Sequence, residues 1–511
     1  MDEARARRLT LIACILGSAI VFVDGTVVNV ALPALRDDLQ ATLAGQQWVV
    51  ESYLLLLAAL ILVGGSLGDL YGRRRIFAIG VAGFGAASLA CAVAPSIEVL
   101  IAARALQGAF GALLVPSSLA IITTVYPPGE RAAAIGSWTA GTSAAIAVGP
   151  PLGGLLVDAI SWRVIFAMNV PLVLVCLRLT ARAMPACPGD GRHRIDLPGA
   201  ALCVLGLAGP TYALIQQPLV GWSDPTVYVP LLGGIGALGA FVAYERRAPD
   251  PMLPPSIFAS RNFAVGNIVT LTTYAGLGAA SFFIAIFLQQ IAGYSAFEAG
   301  LALLPITLLL IVLSRRFGAL ATRAGPRLLM SAGPIVGGLG LLAFTRVDER
   351  AAYVTDVLPG TVLFGLGLAM TVAPLTATVL LAAERRHAGI ASGVNNAIAR
   401  IAALLAIAAV GAVVSAQLAS AVERELSGNG LRGDANRAYV EDARERPLTL
   451  PEGRTGGATR QVVISANVAA FHRGMLVAGL LMIAGGLIAL VGIENPRREQ
   501  VEPQPAAAAV V

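Results

Sequence analysis

Gly65-Ser66-Leu67-Gly68-Asp69-Leu70-Tyr71-Gly72-Arg73-Arg74 returns 253 residues later as Gly318-Ala319-Leu320-Ala321-Thr322-Arg323-Ala324-Gly325-Pro326-Arg327. The two copies share glycine at their first and eighth positions, leucine at the third and arginine at the tenth. Each joins two long apolar runs. Working outward from them, the runs fall near residues 10–33, 47–67, 76–94, 98–124, 133–157, 164–181, 197–217, 226–244, 263–290, 298–314, 327–345, 353–382, 388–420 and 470–492. The first copy lies between runs 2 and 3, the second between runs 10 and 11. Runs 1–6 therefore correspond to runs 9–14, with 7 and 8 as an inserted pair. A parallel repeat of this kind builds two similar six-helix halves.

Composition agrees with that count. Of 511 residues, 57% are hydrophobic and 13% charged, about half the charged share of an ordinary water-soluble domain; mean hydropathy is +0.77. At about 20 apolar residues per membrane span, the hydrophobic content suffices for roughly fourteen spans. A soluble multidomain enzyme, a disordered chain and a disulfide-rich secreted scaffold are excluded. Long apolar runs also exclude a membrane β-barrel, whose strands alternate. The expectation is an all-α polytopic membrane protein with 14 transmembrane helices. It divides into a six-helix half at 1–182, a linker and inserted spans at 183–262, a second half at 263–493 and a disordered tail at 494–511.

All 36 basic residues are arginine. They are scattered through short connections, which argues for membrane orientation rather than a nucleic-acid partner. With the N-terminus in the cytoplasm, the cytoplasmic segments hold twenty-two arginines. The short outer loops hold four, Arg36, Arg163, Arg346 and Arg350. Positive charge is retained inside, so both termini are expected in the cytoplasm. The long outer loop 421–463 balances seven arginines with seven acids. The first run resembles a signal peptide but is too long and contains Asp24, so it reads as an uncleaved span. The five cysteines show no metal-ligand spacing, and no P-loop, metal cluster or nucleophilic triad is present.

Five motifs stand in order at successive spans. They are residues 23–33 (Val-Asp-Gly-Thr-Val-Val-Asn-Val-Ala-Leu-Pro), residues 65–75, Arg104-Ala105-Leu106-Gln107-Gly108, Gly149-Pro150-Pro151-Leu152-Gly153-Gly154, and residues 161–171. Together they resemble the major facilitator superfamily, specifically its fourteen-span drug:proton antiporter-2 family, over nearly the whole chain. The resemblance implies the major facilitator fold and a substrate site between the halves near mid-membrane. It implies proton-coupled antiport of hydrophobic, possibly cationic, drugs or antibiotics across the bacterial inner membrane, with no enzymatic activity and no cofactor beyond the proton gradient. Export of one endogenous metabolite, antibiotic or lipid is the alternative from the same fold. A non-transporting receptor or scaffold is the alternative from another class. Fourteen spans bury enough surface for a monomer.

The resemblance makes Gly65, Gly68, Asp69, Gly72, Arg73 and Arg74 a conformational latch. The glycines let helix ends approach, and Asp69 is placed to meet a helix N-terminal dipole near residues 388–392. Thr322 replaces the acid in the second copy. The other reading is a topogenic arginine cluster on a tight turn. Gly141, Ala145, Gly149 and Gly153 form a small-residue stripe beside Pro150, Pro151 and Gly154. The resemblance makes this a kinked seam between the halves, while generic helix packing accounts for the stripe alone.

Charges within spans are costly and face a partner or a cavity. Asp24, Glu51, Arg104 and Arg400 are the candidates, with Asn29, Gln107, Asn395 and Asn396 as neutral companions and Trp138 as a cavity-lining ring. Burial disfavours an ionised carboxyl and a nearby guanidinium favours it. Movement of Arg104 relative to Asp24 would thus switch proton binding, with Glu51 as a second acid or cation contact. Against this stand a static Asp24–Arg104 pair and a Glu51 at the outer water interface. Two acids matched by two arginines give no strong cation preference. His472, where span 14 is expected to begin, reads as solvated. Trp48, Trp162 and Trp222 read as interface anchors.

Overall fold

A computed structural model describes residues 2–186, 196–249, 251, 253, 255–382, 388–428, 447–448 and 457–495. Among them fourteen helices are long and apolar enough to cross a membrane, and no strand occurs. They are α1 Glu3–Leu39, α2 Leu43–Tyr71, α3 Arg73–Ala92, α4 Ile97–Val125, α5 Pro128–Ala159 and α6 Val164–Ala183, which is interrupted at Met168. The inserted pair is α7 Leu197–Val220 and α8 Pro225–Glu245. The second six are α9 Arg261–Gln290, α10 Ala296–Ala324, α11 Pro326–Ala343, α12 Leu358–Leu381, α13 Ala388–Gly428 and α14 Gly457–Gly492. Several helices outrun their apolar runs, α1 at both ends and α14 by thirteen residues at its start. Its segment 457–469 is too polar to announce a span, yet it continues the helical hydrogen-bond ladder.

The repeat seen in sequence is a repeat in space. In the first six, α1 packs on α5 and α6, α2 on α4, and α3 on α4 and α6. In the second, α9 packs on α13 and α14, α10 on α12, and α11 on α12 and α14. The two signature turns match in detail. Gly72 (φ 95°) and Gly325 (φ 88°) take the left-handed backbone that glycine alone adopts without strain. Arg74 Nη2 donates to the Ala181 carbonyl near the end of α6 (3.0 Å), and Arg327 Nε to the Leu490 carbonyl near the end of α14 (2.5 Å).

Helix contacts within each half rely on small residues, because lipid offers no hydrophobic drive for association. Gly64 of α2 lies where a Cβ would strike the Ala112 carbonyl of α4, and Gly108 of α4 where it would strike the Tyr53 carbonyl of α2. These contacts, rather than Gly65 or Gly68, bring α2 and α4 together; Gly65 and Gly68 have ordinary van der Waals room. In the inserted pair, Gly209 faces the Pro230 carbonyl and Gly234 the Pro210 ring. That hairpin lies against α2 and α13, with the Trp48 and Tyr212 rings 6.2 Å apart.

The halves meet along two seams, α5 with α10 and α2 with α13. The end of the bundle carrying the chain start and the two signature turns is called proximal here, and the opposite end distal. The α5–α10 seam closes tightly towards the distal end. Gly154 faces the Ala296 carbonyl, and a Cβ on Gly300 would lie 2.5 Å from the Pro150 carbonyl. At the α2–α13 seam, Gln47 Nε2 donates to the Ile407 carbonyl (3.0 Å), with Gly411 against the same amide.

Candidate functional site

Arg104 and Asp24 lie at the centre of the first half, 1% and 0% exposed. Arg104 Nη1 pairs with Asp24 Oδ2 and donates to Gln107 Oε1 (2.7 Å), while its Nε donates to the Val49 carbonyl (3.0 Å). The guanidinium lies 4.2 Å from the Tyr53 ring centroid and 5.7 Å from that of Phe166. Asp24 Oδ1 accepts from Gln107 Nε2 (2.8 Å) and Asn169 Nδ2 (3.1 Å), and both amides also reach Ser88 Oγ. Four helices, α1, α3, α4 and α6, thus converge on one carboxylate whose two oxygens are both occupied. A buried pair holds together when its remaining hydrogen-bonding capacity is satisfied, and both oxygens of Asp24 meet that condition. Sequence reasoning joined Asp24, Arg104 and Gln107. It missed Asn169, Ser88 and Tyr53, although Asn169 stands inside the fifth motif.

Glu51 is not at a water interface. It is 0% exposed, and neither carboxylate oxygen has a hydrogen-bond partner among the described residues. It lies one helical turn from Gln47, and residues four apart share a helix face. Glu51 therefore sits on the side of α2 that Gln47 turns towards α13. Asn29 Oδ1 is likewise buried without a partner among the described residues.

The central residues of the second half do not join the Asp24 network. Arg400, on α13, stacks over Phe22 of α1 at 5.3 Å. Phe22 meets the Trp138 ring edge-on at 6.4 Å, and Trp138 Nε1 donates to Ser18 Oγ (3.1 Å). Asn395 binds across to α9, through Thr270 Oγ1 (2.6 Å) and Asn267 Oδ1 (3.2 Å). Asn396 lies on the same helix.

The latch residues are engaged within their own half. Arg73 donates to Asp69 Oδ1 through Nε (3.0 Å) and Nη2 (2.8 Å), and its Nη1 reaches Thr124 Oγ1 and the Ala120 carbonyl of α4. The side chains of 388–390, 392 and Thr322 lie outside the described residues. The stripe on α5 faces α1 rather than the other half. A Cβ on Gly141 would meet Ile15, on Gly149 Thr26, and on Gly153 Val27. Of this group, Gly154, Pro150 and Pro151 are seen to meet α10. The helix runs unbroken through Pro150 and Pro151, which remove two backbone donors from its ladder.

Two other expectations change. His472 lies inside α14, partly buried, with Nε2 2.8 Å from the Val347 carbonyl. Trp162 is 3% exposed and donates to Asp38 Oδ2 (3.0 Å), so it is a core ring rather than a surface anchor. Cys14, Cys91 and Cys176 are buried and form no disulfide among the described residues; Cys187 lies outside them. Among the described residues no group of His, Cys, Asp or Glu is arranged to hold a metal ion.

This architecture, two six-helix halves with buried charge at their centre, is that of a membrane transporter, and the Major Facilitator Superfamily model matches residues 14–407. The chain belongs to that superfamily. It is 36% identical over 423 residues to the multidrug resistance protein Stp of Mycobacterium tuberculosis, covering 83% of this chain and 78% of Stp. It is 35% identical to the puromycin resistance protein pur8 of Streptomyces alboniger (90% and 88% covered). Identity to the tetracenomycin C resistance and export protein of Streptomyces glaucescens is 32% (94% and 90% covered). Among solved structures, a bacterial homolog of the human lysosomal transporter Spinster, inward-facing and unoccupied, superposes with a TM-score of 0.68. It is 17% identical, with 95% of this chain and 97% of that one covered, which bears on the fold alone.

Proposed function

We propose that the chain is a proton-coupled antiporter that exports hydrophobic drugs or antibiotics across the bacterial cytoplasmic membrane. Both termini face the cytoplasm, the chain works as a monomer and the proton gradient is its energy source, with no cofactor. The relatives' names, multidrug and antibiotic resistance and export proteins, support the direction and the cargo. The arginine asymmetry supports the orientation.

The observation that carries proton coupling is Glu51. A carboxylate buried without a partner is far costlier than the neutral acid, so Glu51 is the group best placed to carry a proton through the closed seam. Rearrangement of the α2–α13 seam would open it to water and release that proton. Asp24, with both oxygens occupied, is the weaker candidate for the carrier and the stronger one for a structural pair.

The test uses inverted vesicles with an acid interior and a fluorescent pH probe. Adding a transported compound should dissipate the gradient for the parent protein and not for Glu51→Gln at equal expression. A Glu51→Gln protein that still couples fully rejects the assignment. Export that survives a protonophore rejects coupling altogether. The relatives named for a single antibiotic favour a second reading, a dedicated exporter, which would protect cells against one chemical scaffold rather than several unrelated ones.

A further inference from the structure

Of the two intramembrane candidate arginines, Arg104 is paired with Asp24, and Arg400 has no counter-charge among the described residues. It makes no hydrogen bond and no ion pair with them, and its recorded ring contact is the face of Phe22. It stands twelve residues into α13, about 18 Å along the helix axis at 1.5 Å per residue, close to the middle of a hydrocarbon core about 30 Å thick. An intramembrane arginine normally finds a partner or a cavity; here neither intramembrane acid pairs with it. Asp24 is neutralised by Arg104, and Glu51 carries no ion pair to Arg400.

The surroundings are aromatic. Phe22 and Trp138 present an edge-to-face pair from the first half. Tyr274 on α9 and Tyr53 on α2 lie within electrostatic reach of the guanidinium. The Tyr53 hydroxyl is committed to the Val21 carbonyl (2.8 Å), whereas that of Tyr274 makes no hydrogen bond among the described residues. Both halves thus contribute to one cluster that offers ring faces, a fixed positive charge and a spare hydroxyl donor.

We propose that this cluster is the cargo site, and that it selects hydrophobic aromatic anions over cations. A carboxylate, sulfonate or phenolate would take the forked donors of Arg400, with Tyr274 as a second donor, while the rings of the cargo pack on Phe22 and Trp138. This deepens the proposed export of hydrophobic compounds and rests on that reading. It narrows the expectation of hydrophobic, possibly cationic, cargo towards anions, because Asp24 is already paired with Arg104.

The experiment compares two fluorescent probes that differ by one group, 8-anilino-1-naphthalenesulfonate and the uncharged N-phenyl-1-naphthylamine. Binding to the purified full chain in nanodiscs is measured after subtracting protein-free nanodiscs. The parent should hold the sulfonate more tightly. Arg400→Met should weaken the sulfonate by about tenfold or more, the worth of a hydrogen bond to a charged group, and leave the neutral probe within about twofold. Arg400→Lys should recover part of the loss. Neutral-probe binding in the same sample reports that the Met variant is folded. Equal weakening of both probes, no change in either, or no sulfonate binding by the parent overturns the proposal. No gradient is imposed, so the result is independent of proton coupling. A protonophore-sensitive exporter whose sulfonate affinity ignores Arg400→Met would sink this inference and leave the transport reading standing.

Discussion

The Asp158 carboxylate at the end of α5 accepts the backbone N–H groups of Ala296 and Phe297 at the start of α10, at 3.2 and 2.8 Å. One half of the protein thereby caps a helix of the other. The first N–H groups of a helix have no partner within it. Ser295 and Glu298 satisfy two of them in their own capping box, and Asp158 accepts the two that remain. This clasp holds the distal end shut, and it must release if the halves are to part there.

Asp158→Ala should therefore shift the conformational balance towards a distal-open form. A helix cap is worth about 1 kcal/mol, roughly a fivefold change in the ratio of two states. Pulsed electron resonance between spin labels at Ile160 and Arg350, exposed positions in opposite halves, would report it as a growing long-distance population. An unchanged distance distribution would mean that the Gly154 and Gly300 contacts close the seam without help.

The Asp24–Arg104 pair should behave non-additively. Removing one partner strands the other charge in the interior, at a cost of about 3–5 kcal/mol. Asp24→Asn and Arg104→Gln should each lower the thermal midpoint in detergent. The double variant should lie above the sum of the two losses. Strict additivity would show that the two groups do not depend on each other.

Gly108→Ala should destabilise by about 1–3 kcal/mol, the cost of overpacking, because its Cβ would meet the Tyr53 carbonyl, a backbone atom that cannot swing aside. Gly136→Ala is the matched control. Nothing lies within 4 Å of a Cβ there, and alanine is the better helix former, so stability should hold or rise. Thermal unfolding of the two variants side by side distinguishes local crowding from a general intolerance of methyl groups in these helices.

The spans and the repeat were readable because bilayer thickness imposes a length and duplication leaves a pattern: Gly72 and Gly325 reappear with the same backbone. Helix ends were less so. Residues 457–469 continue α14 without being apolar, since a helix may outlast the hydrocarbon around it. At the centre, Asp24, Arg104 and Gln107 announced themselves as polar groups in apolar runs. Asn169, Ser88 and Tyr53 did not, because amides, hydroxyls and phenols are common in such runs, and only their convergence gives them meaning. Asp158 was hidden for the opposite reason. An acid at the end of a span reads as a solvated loop residue until the other half is placed against it. Glu51 and Arg400 were visible as charges, but what marks them is the lack of a hydrogen-bond partner among the described residues, which composition does not reveal.

The α7–α8 hairpin has a bearing on where cargo comes from. By lying against α2 and α13, it walls one of the two seams from the surrounding lipid. The α5–α10 seam, where Leu152, Leu155, Leu308 and Val312 are exposed, borders the bilayer directly. A hydrophobic compound dissolved among the acyl chains would thus come up against the α5–α10 seam and be kept from the α2–α13 seam by the hairpin.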